Sequence, residues 1–104
     1  MKSLDIAIAG MGPGGLAAAL FLHRAGHRVR LFERFERPQP VGSGLMLQPT
    51  GLAALHALGL SRQIRALGAR IDRLIGSEAR TGRTVLDVSY APLGLGQHAL
   101  GVHR

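Results

Sequence analysis

The chain contains no cysteine and no tryptophan. It can therefore build no disulfide framework and do no thiol chemistry, which fits a reducing compartment and gives the expectation of a cytoplasmic location. Aromatic residues make up only 4%, one tyrosine and three phenylalanines, so there is little to stack on nucleic-acid bases. Acids are scarce as well: six against thirteen lysines and arginines, for a formal net charge of +7. The basic residues are scattered and form no block of like charge. The expectation is a solvated, arginine-rich surface with no nucleic-acid partner. No apolar run is long enough to span a bilayer, and Met1-Lys2-Ser3 leads into a strand without a secretory pattern, so no membrane partner is expected.

Glycine is abundant instead, with 15 among 104 residues, and 46% of the chain is hydrophobic. That composition is globular, and the length suits one domain with a modest core. The glycines are concentrated most tightly in Gly10-Met11-Gly12-Pro13-Gly14-Gly15. This stretch follows the apolar run 4–9, which suits a parallel strand covered on both faces. It opens an Ala/Leu-rich helix over 14–25, with Pro13 tolerated in the first turn and Gly26 as the C-terminal stop. Leu16, Ala17, Leu20 and Phe21 make an apolar stripe on that helix. A second strand over 28–33 ends in Glu33.

Strand, glycine turn, helix, strand and acid together form the layout of a dinucleotide site. Gly10 allows the tight turn, Gly12 lets a pyrophosphate approach the backbone, and Gly15 lets helix and strand pack closely. Ala19 is the next small residue on that contact. The helix N-terminus offers free amides to phosphate oxygens. Glu33 can accept from a ribose hydroxyl, and an acid there favours NAD or FAD over NADP.

Residues 34–44 read as a long loop and 45–47 as a short extended piece. A second helix is expected over 50–58, ended by Gly59. A third should run from an N-capping Ser61 to Leu67, stopped by Gly68. Residues 70–78 and 83–89 read as two strands of a β-hairpin around Thr81-Gly82. Residues 91–98 read as loop. The fold class is thus α/β: a partial Rossmann-like βαβ unit with a following β-hairpin and an incomplete sheet. The expected division is 1–69 for the βαβ unit and its helices, 70–90 for the hairpin and 91–104 for a segment returning to the first unit. Two strands are too few for a doubly wound sheet. The expectation is a fragment, or a chain that self-associates through open sheet edges.

Phe32-Glu33-Arg34, the 41–50 stretch Val-Gly-Ser-Gly-Leu-Met-Leu-Gln-Pro-Thr, the helix ending Leu58-Gly59-Leu60 and the tail from Gly96 to Arg104 carry a resemblance. Together with the glycine fingerprint they resemble the flavoprotein monooxygenases of the aromatic-hydroxylase type. The resemblance covers the whole chain and is specific as a combination. It implies FAD, with Gly10, Gly12, Pro13, Gly14 and Gly15 at the pyrophosphate, Glu33 at the adenosine ribose and Arg34 nearby. It implies that Gly44 and Leu45 approach the flavin end and that Arg104 lies alongside the cofactor. In such enzymes NAD(P)H reduces the flavin, and O₂ is then used to hydroxylate a small, usually aromatic substrate. The family's later Gly-Asp segment and most of its substrate domain have no counterpart in these 104 residues. The expectation is that the chain alone is inactive and holds FAD weakly.

The remaining polar residues have plainer readings. His23 and His27 lack a third ligand, so no metal is expected. His56 shows no partner, Tyr90 reads as a core-edge tyrosine, and Asp72, Glu78 and Asp87 as solvated strand charges. Two other functions compete with a flavoenzyme segment: a short nucleotide-binding or self-associating module, and an NAD-binding piece of a dehydrogenase. The 34–50 loop and the Leu-Gly-Leu helix fit the dehydrogenase poorly.

Overall fold

The computed structural model describes residues 2–94 and 96–103. The first strand, β1 (Asp5–Ala9), lies parallel to β2 (Arg28–Phe32), with Asp5 opposite Arg28 and Ala9 opposite Phe32. The crossover between them is α1 (Pro13–Arg24). Proline sits in its first turn and His23 and Arg24 in its last, so both helix ends follow the sequence rules. Gly26, at φ +90°, turns the chain back into β2.

This helix meets the strands through its small residues. Ala19 is the buried position of α1, while Leu16, Leu20 and Phe21 are exposed. The large members of the apolar stripe read from the sequence are thus exposed, and its small member Ala17 is half-buried. At Gly15 the helix comes so close to the Gly10 carbonyl and to Ile8 of β1 that no larger residue fits.

Four further elements precede the hairpin: β3 (Gly44–Leu47), α2 (Pro49–Ala57), α3 (Ser61–Leu67) and β4 (Gly68–Ile71). The hairpin is β5 (Arg73–Ser77) with β6 (Thr84–Ser89), followed by a single 3-10 turn at Ala91–Leu93 and by β7 (Ala99–His103). Three small sheets result among the described residues: β1 with β2, the antiparallel trio β3-β7-β4, and the β5-β6 hairpin.

Two expectations need correction. The strand read over 70–78 is two strands, with Arg70 and Ile71 in β4 against β7 and the hairpin beginning only at Arg73. Asp72 separates them, and its carbonyl accepts from the Tyr90 amide at 3.1 Å. Ser61 does not N-cap α3; Leu60 holds the cap position, and the Ser61 hydroxyl turns instead to His56. The tail is the central strand of the second sheet, with Leu100 opposite both Leu47 and Arg70.

Burial follows that sheet. Ala99, Leu100, Tyr90, Leu58 and Ala19 are the buried apolar residues, and His98 is the buried polar one. The Tyr90 hydroxyl donates to Gln48 Oε1 at 2.6 Å and ties the end of the hairpin to the start of α2. Elsewhere large apolar groups face outward, among them Ile75, Val85, Leu86 and Val88 of the hairpin. The radius of gyration is 17.4 Å, against roughly 13 Å for a compact chain of about 100 residues.

Candidate functional site

The glycine turn is built by two constraints. Gly10 holds φ +103°, a conformation that costs glycine nothing, and its amide donates to the Phe32 carbonyl at 2.6 Å. A side chain on Gly15 would overlap the Gly10 carbonyl oxygen and press on Ile8. Gly10 and Gly15 are thus required by the fold itself.

Gly12 and Gly14 are different. A Cβ at either would meet nothing within 4 Å. Gly12 is the N-cap of α1, and no side chain caps that helix. Its first-turn amides therefore stay available, at the positive end of the helix dipole. Internal packing does not account for glycine here.

Glu33 crosses to the same turn. Its Oε2 accepts from the Met11 amide and its Oε1 from the Arg34 amide, each at 2.8 Å. The Met11 amide above all, then that of Arg34, holds the Glu33 carboxyl below its ordinary range. The carboxylate thus stays ionised at neutral pH and remains able to accept from hydroxyl groups. The Arg34 guanidinium stacks on Phe35, 4.9 Å from the ring centre. Met11, Gly12, Pro13, Glu33, Arg34 and the 35–41 loop line a cavity of about 660 Å³, within the range of pockets that hold cofactors.

Gly44 and Leu45 lie elsewhere. They line a second cavity of about 540 Å³ with Leu67, Gly68 and Val102, and it shares no lining residue with the first. A Cβ on Gly44 would come within 2.8 Å of the Val102 carbonyl oxygen, so the close approach of β3 to β7 alone accounts for that glycine. His103 sits opposite Gly44, and its Nδ1 lies 3.3 Å from the Ser43 carbonyl. Arg104 follows directly and lies outside the described residues.

The residues at the glycine turn fit an adenine dinucleotide: open space at Gly12 and Gly14 for a pyrophosphate, uncapped amides facing it, and an ionised acid at the mouth. Sequence reasoning missed two features. Arg24 donates to the Ala57 and Leu58 carbonyls at 3.0 and 2.8 Å, joining the end of α1 to the end of α2. His98 is buried beside a third cavity. The apolar run Ala99-Leu100-Gly101-Val102 was a usable signal for a buried strand and hence for the burial of its neighbour. The Arg24 bridge left no local signal.

The family model described as FAD binding domain matches residues 3–100. The chain is 37% identical over 87 residues to the 3-hydroxybenzoate 6-hydroxylase 1 of Aquipseudomonas alcaligenes, covering 84% of this chain and 22% of that protein. It is 36% identical over 93 residues to the 3-amino-4-hydroxybenzoate 2-monooxygenase of Streptomyces cremeus, covering 89% of this chain and 23% of that protein. Among solved structures, p-nitrophenol 4-monooxygenase PnpA from Pseudomonas putida DLL-E4 superposes with a TM-score of 0.69 at 26% identity, over 99% of this chain and 27% of that one. Klebsiella pneumoniae HpxO, complexed with FAD and uric acid, superposes with a TM-score of 0.70 at 24% identity, over 97% of this chain and 26% of that one. The chain spans about a quarter of the length of these relatives.

Proposed function

The chain belongs to the FAD-binding domain family of the flavin-dependent aromatic hydroxylases, and from this we propose that its glycine turn holds the adenosine diphosphate half of FAD. The observation that carries the reading is the open space at Gly12 and Gly14 directly at the uncapped N-terminus of α1, which leaves room for a pyrophosphate. The first-turn amides of α1 bind the pyrophosphate, and Gly10 and Gly15 keep the turn in the shape that presents them. Glu33 accepts from the adenosine ribose hydroxyls, and Arg34 with Phe35 forms the wall beside it. Gly44, Leu45 and Arg104 serve the flavin end. The strand pairing that puts His103 opposite Gly44 sets the end of β7 beside the start of β3.

FAD, when bound, would supply the redox chemistry, hydride acceptance from NAD(P)H and O₂-dependent hydroxylation of a small aromatic substrate. This chain's part is to bind and orient the cofactor and to keep Glu33 ionised. About three quarters of the relatives' length lies outside the match with this chain, and substrate recognition is assigned there. A second reading, self-association, is favoured by the exposed apolar residues of the hairpin and by the two-stranded β1-β2 sheet. Light scattering over a range of concentrations tests it, and a monomer throughout would exclude it.

The direct test of the cofactor is a flavin-fluorescence titration of the chain with FAD, with ADP as competitor. The proposal expects saturable quenching that ADP reverses. Quenching that ADP leaves untouched would place the flavin somewhere other than the glycine turn.

A further inference from the structure

We propose that the cleft between α2, α3 and the residues leading into β7 is a binding site for a small oxyanion, carried as a carboxylate on a short apolar body or as a phosphate group. The cleft encloses about 180 Å³. Its polar wall holds His56, Ser61, Arg65 and His98, and its apolar wall includes Leu52 and Ile64. No carboxylate lines it.

His98 is the decisive group. It is only 8% exposed, and its Nδ1 lies 2.9 Å from the Ala99 carbonyl. A carbonyl can only accept, so Nδ1 carries the hydrogen. Nε2 is left without a hydrogen-bond partner among the described residues while its ring lines the cleft. His56 Nδ1 is 3.1 Å from the Ser61 hydroxyl, which fixes the second imidazole at the same wall. Arg65 makes no ion pair among the described residues.

A cation would find no compensating charge here, and among the described residues no group of three metal-binding side chains exists. An oxyanion meets a guanidinium, a hydroxyl and two imidazoles. An anion at Nε2 is met by a donor when that nitrogen carries a hydrogen. The charges on the elements packed around it are basic: His56 on α2, Arg62 and Arg65 on α3, and Arg70 on β4. Asp72 beside β4 is already paired with Arg70 at 2.7 Å, and β3 carries no charge.

The test is a titration of the full chain with sodium phosphate and, separately, sodium benzoate, followed by the ring resonances of His56 and His98. Sodium chloride at matched ionic strength is the control. Saturable shifts of both rings with phosphate or benzoate support the site, and the two ligands distinguish its natural occupants. Arg65→Gln should weaken binding about tenfold, while Arg62→Gln, outside the cleft, should leave it unchanged. No saturable shift, an equal response to chloride, or equal weakening by both variants would overturn the proposal. The cleft shares no residue with the glycine-turn cavity, so its failure leaves the FAD reading intact.

Discussion

The glycine turn and the β3-β7-β4 sheet both depend on glycine, for opposite reasons. In the sheet, glycines face atoms of their own chain: a Cβ on Gly68 would come within 2.7 Å of Leu100 Cγ and 2.9 Å of the Gly101 carbonyl oxygen. In the turn, Gly12 and Gly14 face nothing. The sheet is closed by its own packing, and Leu100 and Ala99 are buried in it. The turn is complete as a backbone and open as a surface. A clash, as at Gly15 and Gly68, or a positive φ, as at Gly10, marks a glycine that the fold needs, and neither applies at Gly12 or Gly14.

The largest effect should come from placing that methyl where the fold forbids it. Gly15→Ala puts a Cβ against a backbone carbonyl that cannot rotate away. The expected loss is about 2 kcal/mol of stability, read by thermal or urea unfolding. An unchanged midpoint would mean that the turn yields more easily than its geometry implies. Gly12→Ala is the counterpart. Its Cβ meets nothing and its φ of −68° suits any residue, so stability should change by less than about 1 kcal/mol, mostly through the weaker N-cap. FAD affinity should fall at least about tenfold, roughly 1.4 kcal/mol. Equal effects of the two variants on stability would erase the distinction between the regions.

Arg24 tests whether the two regions are coupled. Its guanidinium bridges from α1 to the last carbonyls of α2. Arg24→Ala should cost about 1 kcal/mol and should raise hydrogen exchange at the end of α2 more than in β1. Arg24→Lys should recover little of it, because one ammonium cannot reproduce the fork to two carbonyls. Uniform destabilisation with no local change at α2 would reduce Arg24 to an ordinary surface cation.

What was legible in the sequence divides along the same line. The βαβ unit could be read because its signals are local: an apolar run, a glycine turn, a proline at a helix start and an acid at a strand end. The second sheet could not, because its order depends on pairing Gly44 with His103 and Gly68 with Val102, contacts that no window along the chain contains. Gly68 looked like a helix stop and is also the first residue of β4. Leu16, Leu20 and Phe21 have the right spacing for an apolar face but stay exposed, while Ala19 is the buried position of α1. At the site, Glu33 was identified by its position after β2, but its bond to the Met11 amide was visible only in three dimensions.

That bond gives the smallest effect and the finest test of the turn. The Met11 amide, followed by the Arg34 amide, lowers the Glu33 pKa in the folded chain. A depressed carboxyl stabilises the fold at pH values above its unfolded pKa, about 4.3, and that contribution is lost as pH falls through the folded value. Glu33→Gln should therefore leave a small stability deficit at neutral pH that disappears toward acid, because the protonated acid and the amide are then nearly equivalent acceptors. The group is fully solvated, so the deficit should be slight beside that of Gly15→Ala, and high salt should reduce it only weakly, since hydrogen bonds and not a distant charge cause the shift. The Met11 amide resonance should titrate with the Glu33 carboxyl in the wild-type chain and stay flat in the variant. A Met11 signal indifferent to pH in both would mean that the carboxylate does not close the turn, leaving Gly10 and Gly15 alone to hold it.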